Sequence, residues 1–376
     1  MDRRTFFKAS SASAVALAAG GIDAPGLHAQ SLGNPQRLPL KAKLGHEIKR
    51  VNDKTLNYVA RFGVEGIGAE PEIKDPAHLY ATVDELKAMR DLVEKHGLKI
   101  HMINSILLNS TNVDSEPHPA IMLAQSPERD RDIEAFQTLI KNCAAAGIPT
   151  LKYNMSILGV VRSASVPGRG DAMYARWNYN EALKAGEPPP TKAGLVNADA
   201  FWERIDYFLS RVVPVANEYK VNLACHPQDP GMPQPKGWRG VDRVLGTVDG
   251  LKKFISMHES PYHGLNFCQG TVSEDLDDPN AQIGDVIRYF GSRKKIFNVH
   301  FRNIRGHRND FVEVFPDEGS VDFVKALKVY REIGYDGLLM PDHAPTVNGD
   351  ASAADENFAF AFGHIRGLIQ AEQHIA

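Results

Sequence analysis

The chain has 376 residues, of which 43% are hydrophobic, and it carries a formal net charge of −3 at pH 7. Its basic residues are interleaved with acidic ones, which excludes the positive patch needed to bind nucleic acid or an anionic membrane. The three cysteines are too few for a disulfide-bonded scaffold. Composition therefore predicts a globular protein with one large core or two modest ones.

The first 29 residues have the order of an export signal. Arg3 and Arg4 stand in the charged segment MDRRTFFKAS, which is followed by the mild apolar stretch SASAVALAAGGI and the small residues of PGLHAQ. This order resembles a twin-arginine signal, which exports folded proteins. We predict a signal peptide over residues 1–29, the twin-arginine export machinery as a partner and a periplasmic location. The alternative is a charged, frayed N-terminus.

Beyond residue 40, short strand-like runs alternate with longer amphipathic helical patterns. The predicted strands are KAKLGH, VEGIGAE, LKIHMIN, TLKYN, VNLACHP, GLNFCQG, IFNVHFRN and GLLMPDH. Patterns such as TVDELKAMRDLVEKHG separate them, with Thr or Asp at the start and Gly at the end as helix caps. Eight strands, each followed by a helix, favour a single (β/α)8 TIM barrel over residues 30–376. The alternative is an open doubly wound sheet, although no Gly-rich phosphate-binding turn follows any strand.

Two long connections leave the C-terminal ends of predicted strands. The first covers residues 155–196, and the second, PQDPGMPQPKGWRGVDRVLG, follows VNLACHP. The C-terminal face of a TIM barrel is its catalytic face, so we predict that these loops form a lid and a gate, with disorder as the alternative. Arg162, Arg169 and Arg176 in the first loop would close over an anionic substrate or remain as solvated loop charges.

Polar residues end four consecutive predicted strands: His226, Cys268, His300 and Asp342. A barrel brings these strand ends to one rim, where two imidazoles, a thiolate and a carboxylate suit a divalent transition metal better than magnesium or calcium. We predict manganese, with iron, cobalt, nickel and zinc as alternatives. Cys225 competes as the thiolate, but it adjoins His226, and neighbours on a strand point to opposite faces.

Further candidates lie around the same rim. Asp342 and the next residue, His343, are predicted to be catalytic, because an imidazole near neutral pH serves as a general acid or base. We predict that five further residues bind the substrate. Two end the strand TLKYN, and the other three follow NVH and offer amide or guanidinium groups. They are Tyr153, Asn154, Arg302, Asn303 and Arg305.

The order of these motifs resembles the mannonate dehydratase family. The resemblance rests on LKYN and its preceding helix, ACHPQDP, NFCQGT, HFRNIRG, EGSVDFVKALKVYREIGYDG and MPDH, and it extends from about Lys41 to the last helix. It implies a metal-dependent barrel related to the xylose isomerase-like sugar isomerases. It also implies that the four polar strand ends are the metal ligands and that His343 takes part in proton transfer.

Two features depart from the family pattern. Phe315 stands where the family has a histidine. The segment after PDH, APTVNGDASAADENFAFAFGHIRGL, contains no tyrosine, so the catalytic tyrosine of the family has no counterpart there.

The resemblance implies a hydro-lyase that dehydrates a sugar acid through an enediolate, converting D-mannonate or a related aldonate; the product from D-mannonate is 2-dehydro-3-deoxy-D-gluconate. One group takes the proton beside the carboxylate and another helps the β-hydroxyl leave. The alternatives are a metal-dependent sugar isomerase, an epimerase or a β-eliminating lyase acting on an oxidised sugar or glycoside, and a non-catalytic sugar-binding or metal-storage barrel. We expect a homo-oligomer on general frequency.

Overall fold

A computed structural model of the protein describes residues 39–374, apart from residues 76 and 351. The predicted signal peptide, residues 1–29, lies outside the described residues. Of the helices in the described part, none combines the length and the hydropathy needed to cross a bilayer.

The described chain alternates strands and helices along most of its length. The strands are β1 (Lys43–Ile48), β2 (Gly66–Ala69), β3 (Lys99–Asn104), β4 (Thr150–Asn154), β5 (Ser163–Pro167), β6 (Ala172–Asn178), β7 (Asn222–His226), β8 (His263–Cys268), β9 (Ile296–His300), β10 (Ile304–His307), β11 (Asp310–Glu313), β12 (Leu338–Met340) and β13 (Thr346–Val347). The helices are α1 (Asp53–Arg61), α2 (Val83–Lys95), α3 (Ala120–Leu123), α4 (Glu128–Ala146), α5 (Tyr179–Ala185), α6 (Ala198–Tyr219), α7 (Val248–Ser256), α8 (Gln269–Ser273), α9 (Pro279–Ser292), α10 (Phe323–Glu332) and α11 (Ala353–His374).

Eight parallel strands of the described chain close into a barrel in the order β1, β12, β9, β8, β7, β4, β3, β2. Each contains residues of one of the eight predicted strands, so the predicted (β/α)8 barrel is confirmed. The strands are apolar runs because side chains on both faces are buried, inward in the barrel and outward against helices. The four strands that carry the predicted metal ligands, β7, β8, β9 and β12, are neighbours in this order.

Local capping fixes the helices that surround the barrel. The Thr82 side chain accepts a hydrogen bond from the Glu85 N–H at the start of α2, and the Glu85 side chain accepts one from the Thr82 N–H. Gly147 ends α4 at its C-terminus, where it adopts a left-handed conformation with a φ of 73°. The inner faces of α4 and α6 bury Phe136 and Phe208, and each such side chain contributes about 1.5–3 kcal/mol to folding.

A second, antiparallel sheet is built from the segments that follow β4, β9 and β12, and we call it the cap sheet. Its strands are ordered β10, β11, β6, β13, and β5 pairs with β6. The long connection of residues 155–196 supplies β5 and β6 to this sheet and also contains the short helix α5, which follows β6. This segment is therefore folded against other loops, and the alternative of a disordered loop is wrong for it.

The second long connection packs beside the first rather than standing free. Arg243 is buried, and its guanidinium donates hydrogen bonds to the carbonyl oxygens of Gly159 and Asp229 at 3.1 and 2.7 Å. Gln228 joins the same two segments, because its Nε2 donates a hydrogen bond to the Met155 carbonyl oxygen at 2.8 Å. These buried polar contacts fix the segment that follows β7 against the one that follows β4.

Candidate metal centre

The structure brings the four predicted metal ligands together at the C-terminal rim of the barrel. Cys268 pairs with His300 in the β8–β9 register, and His300 pairs with Met340 in the β9–β12 register, two residues before Asp342. One nitrogen, sulfur or oxygen atom from each of the four lies within 4.8 Å of the corresponding atoms of the others. Ligand atoms held at about 2.0–2.3 Å from one ion lie within about 4.6 Å of one another, which is close to the spread of these four atoms, so these residues fit a divalent metal.

The charges at the rim also fit a cation. Burial would raise the pKa of the Cys268 thiol, but the Arg302 guanidinium and the His226 side chain hold it well below its ordinary value. Burial likewise opposes ionisation of Asp342, yet His300 and His343 hold the pKa of its carboxyl well below the usual range. A thiolate and a carboxylate are the forms of these side chains that bind metals.

Cys225 has the opposite character. Burial raises the pKa of its thiol to about 12, and it lies beside the outward-facing Tyr153 rather than in the barrel. The alternation along β7 therefore separates Cys225 from His226, as the choice of Cys268 assumed.

Glu47 and Lys152 form a buried ion pair next to the metal ligands. Lys152 Nζ donates hydrogen bonds to both carboxylate oxygens of Glu47, at 2.6 and 2.8 Å. Glu47 Oε1 lies 2.9 Å from His300 Nε2, while His300 Nδ1 lies 3.3 Å from Asp342 Oδ1. A histidine that binds a metal through one nitrogen usually donates its other N–H to a carboxylate, and Glu47 is that carboxylate here.

His343 is held by a carboxylate of the cap sheet. Its Nδ1 lies 2.9 Å from Glu313 Oε1, and its Nε2 lies 3.7 Å from Asp342 Oδ2. Burial lowers the pKa of His343, but Asp342 and Glu313 outweigh it and raise that pKa to about 9. Burial conversely raises the pKa of Glu313, while His343 and Arg162 bring it down to about 2.

Arg302 binds protein carboxylates in this structure. Its Nε donates to Asp342 Oδ2 at 3.0 Å, its Nη2 to Asp229 Oδ2 at 2.9 Å and its Nη1 pairs with Glu274 Oε1 at 2.7 Å. All of its donor groups thus face buried acidic residues. The Arg302 side chain is 3% exposed and is not among the described residues that line the pocket, so the structure does not bring this predicted substrate contact to the pocket, and the guanidinium instead contacts a predicted metal ligand.

The three arginines of residues 155–196 have different surroundings. Arg162 contacts Asp229 Oδ1 at 2.5 Å and also donates to Glu313, so it borders the site from the cap sheet. Arg169 and Arg176 form ion pairs with nearby acidic residues on the cap sheet. The structure therefore brings one of the three to the site, where it neutralises protein carboxylates.

Of the two predicted substrate contacts on β4, the structure brings only Asn154 to the site. Asn154 lines the pocket that also contains His226, as the β4–β7 register places these two residues side by side. Tyr153 points outward, with its ring 5.6 Å from Phe136 and 5.5 Å from Phe208 between ring centroids. Its buried position among helix residues gives it no path to a substrate.

The two predicted substrate contacts after His300 also lie elsewhere. Asn303 is buried, and its Nδ2 donates to the Val321 carbonyl oxygen at 2.9 Å, which ties down the start of α10. Arg305 is exposed on β10 of the cap sheet, with its guanidinium carbon 5.8 Å from the centroid of the Tyr174 ring.

Glu47, Lys152 and Glu313 were not predicted from the sequence as residues of the site. Lys152 had a usable signal, because it is the single charged residue of β4, whereas Glu47 and Glu313 share their strands with Lys43 and Asp310. Lys152 is two residues before Asn154, so strand alternation turns both toward the barrel interior.

A pocket opens at this rim, and most of the described residues that line it are polar or charged. In addition to three of the metal ligands, the described residues that line it include Ser110, Lys152, Asn154, Ser156, Gln228 and His343. Among the described residues that line the pocket there is no tyrosine. Hydroxyl, amide and charged groups around a candidate metal suit a small, polyhydroxylated molecule.

The fold and the site together define a (β/α)8 barrel protein with a candidate metal centre at its catalytic rim. The sequence profile of the family described as D-mannonate dehydratase (UxuA) matches residues 47–180 and 192–375. The chain belongs to this family. The predicted family and the predicted class of enzyme, a hydro-lyase, are thereby confirmed.

Individual relatives agree with this membership. A mannonate dehydratase from Thermotoga petrophila is 30% identical over 326 residues, which cover 77% of this chain and 84% of that protein. Mannonate dehydratase 2 of Halalkalibacterium halodurans is 29% identical over 71% of this chain and 80% of its own.

Solved structures share the fold. The crystal structure of mannonate dehydratase from Streptococcus suis serotype 2 has a TM-score of 0.74 at 22% identity, covering 89% of this chain and 95% of that chain. A 3-keto-D-glucoside 4-epimerase from E. coli has a TM-score of 0.53 at 12% identity, covering 85% and 99%. At these identities the likeness concerns the barrel alone.

Proposed function

We propose that the protein is a metal-dependent dehydratase acting on D-mannonate or a related aldonate, which it converts to a 2-keto-3-deoxy acid. The observation that carries the proposal is the convergence of four metal-binding side chains with the Glu313–His343 pair at one polar pocket. His226, Cys268, His300 and Asp342 would hold the ion. When bound, a divalent ion supplies Lewis acidity that favours loss of the proton beside a carboxylate.

His343 is the base in this proposal. The Glu313 carboxylate accepts the Nδ1–H of the ring. A divalent ion bound to Asp342 would offset the negative charge that raises the pKa of His343, and Nε2 would then be the nitrogen that takes the proton from C2 of the substrate. Glu313 also stabilises the imidazolium that forms, as a buried carboxylate does for the histidine of a catalytic triad. Asn154 and Ser110 offer hydrogen-bonding groups for the substrate hydroxyls from the pocket wall.

Manganese is the proposed metal, because carboxylate and imidazole ligands suit it, while the thiolate also admits iron, cobalt, nickel or zinc. The segment MDRRTFFKAS supports export to the periplasm by the twin-arginine machinery, with residues 1–29 as its signal. A homo-oligomer is proposed on the general frequency of such assemblies. Cell fractionation and light scattering test these two points.

The function is tested by offering D-mannonate, other aldonates and 3-keto-glycosides to the full-length protein loaded with one metal at a time. Mass spectrometry would follow loss of water and formation of a 2-keto-3-deoxy acid. Water loss from an aldonate is the expected result, and His300→Ala and Asp342→Ala are expected to lose metal and activity together. Activity that survives metal loss would contradict the role proposed for the ion.

A sugar isomerase, epimerase or β-eliminating lyase acting on an oxidised sugar or glycoside is the second candidate. It is favoured by the composition of the pocket, which lacks a tyrosine among its described lining residues. Turnover of 3-keto-glycosides, without water loss from any aldonate, would decide for this second candidate.

A further inference from the structure

Dehydration of an aldonate requires two proton transfers at neighbouring carbons. One group removes the proton from C2, and a second gives a proton to the hydroxyl that leaves C3. His343 accounts for the first. The described residues that line the pocket include no tyrosine, so another side chain of the pocket must serve the second.

Six titratable side chains line the described pocket. They are Lys152, His226, Asp229, His300, Asp342 and His343. His226, His300 and Asp342 are candidate metal ligands. The Asp229 carboxylate accepts hydrogen bonds from Arg162 Nη1 at 2.5 Å and Arg302 Nη2 at 2.9 Å. Lys152 and His343 remain.

Lys152 is held in place by contacts inside the barrel. Lys152 is 9% exposed, and its Nζ lies against both oxygens of Glu47. An ammonium has three N–H groups, so the ion pair with Glu47 leaves donor capacity for a ligand in the pocket that Lys152 lines.

Lys152 and His343 stand on opposite walls of the barrel. Lys152 belongs to β4 and His343 follows β12, and in the closed strand order these two strands are four positions apart in either direction. A substrate bound between them would meet one group on each face. This arrangement suits an anti elimination, in which the C2 proton and the C3 hydroxyl leave from opposite sides.

We propose that Lys152 is the acid that protonates the departing C3 hydroxyl, an assignment that rests on the dehydratase function proposed above. His343 Nε2 removes the C2 proton, and the electrons of the C2–H bond form an enediolate. The C2–C3 double bond then forms as the C3–O bond breaks, and the hydroxyl takes a proton from Lys152 Nζ and leaves as water. The enol product takes a proton at C3, loses the proton of its C2 hydroxyl and becomes the 2-keto acid, so no oxidant or reductant is needed.

The test compares Lys152→Met with the unmodified protein in three measurements. Dehydration of the aldonate is expected to fall by more than about 100-fold, the range of a positioned acid. Exchange of the substrate C2 proton with deuterium from solvent is expected to persist, because His343 is intact. A 3-deoxy-3-fluoro aldonate, whose fluoride leaves without a proton, is expected to be turned over at a rate close to that of the unmodified protein.

Matched variants separate this role from a structural one. His343→Gln is expected to lose both dehydration and exchange, while Lys99→Met, an exposed lysine at the start of β3, changes neither. Bound metal should be the same in all of these proteins. The assignment would be overturned if Lys152→Met dehydrated the aldonate at a rate within about threefold of the unmodified protein. It would also be overturned if the variant lost C2 proton exchange and fluoride release to the same extent as dehydration. If the unmodified protein dehydrates no aldonate, the proposed function itself fails.

Discussion

Glu313 on β11 of the cap sheet lies 2.9 Å from Nδ1 of His343, which follows the barrel strand β12. The contact is buried on the glutamate side and joins two layers of the molecule. The orientation of the histidine next to the metal ligand Asp342 thus depends on a sheet made by other loops.

The first prediction concerns this carboxylate. Glu313→Gln keeps the shape of the side chain but removes its charge, so it is expected to lower kcat by about 100-fold, because the imidazole loses its orienting partner. KM and metal content should change little, which steady-state kinetics and elemental analysis will show. Asp310→Asn, at the exposed start of the same strand, is the control. A large rise in KM with unchanged kcat would contradict an orienting role.

The second prediction distinguishes the two buried cysteines of β7 and β8. An ion that binds only the folded protein stabilises it by about 2.7 kcal/mol when present at 100 times its Kd. Cys268→Ser is expected to lose this metal-dependent stabilisation, whereas Cys225→Ser, which faces away from the site, is expected to keep it. Thermal unfolding with and without added manganese measures the difference. Equal responses in the two variants would exclude the thiolate as a ligand.

The third prediction concerns Arg302, whose side chain is 3% exposed and forms ion pairs with four carboxylates, among them the fully buried Glu274. Arg302→Met is expected to lower the free energy of unfolding by about 3–5 kcal/mol, because uncompensated charges remain in the interior. Arg288→Met is the matched control, since Arg288 is 46% exposed and its ion pairs on the surface are worth less than about 1 kcal/mol. Urea unfolding of the metal-free proteins gives both values. Similar losses in the two variants would contradict the distinction.

The fourth prediction concerns the stability of the fold in mild acid. His263 is buried, and its Nε2 lies 2.9 Å from the Phe254 carbonyl oxygen. Burial lowers the pKa of His263 from 6.5 to about 4, with the Phe254 carbonyl acting in the opposite direction. The unfolded chain therefore takes up a proton at a higher pH than the folded one.

The stabilisation from a neutral His263 is complete above pH 6.5 and is lost as the pH falls toward 4, by about 1.4 kcal/mol per pH unit. His263→Gln should reduce this slope. Urea unfolding at a series of pH values between 4 and 8 measures it. A slope that is unchanged in the variant would contradict the contribution of His263.

The barrel and its metal ligands were predictable because their signals are local. Apolar runs bounded by helical patterns predicted all eight barrel strands, and a barrel gathers the C-terminal ends of its strands at one rim. The alternation rule that favoured Cys268 over Cys225 also applies to β4. It would have rejected Tyr153, because Tyr153 and Asn154 are neighbours on a strand and point to opposite faces.

The partners of the arginines could not be predicted in the same way. Arg302 meets Asp229 and Glu274, which come from segments that follow β7 and β8. Such pairings depend on how separate loops pack, and charge alone does not distinguish a substrate carboxylate from one of the protein's own. Glu313 reaches His343 only because β11 pairs with β6 in the cap sheet.

The cap sheet changes how this catalytic face evolves. In a barrel with independent loops, each loop can be exchanged for another length or sequence without regard to the rest. Here strands from the connections after β4, β9 and β12 share one hydrogen-bonded sheet. New substrate preferences would therefore arise through matched changes in all three connections, and a loop transplanted alone from a relative would arrive without its pairing partners.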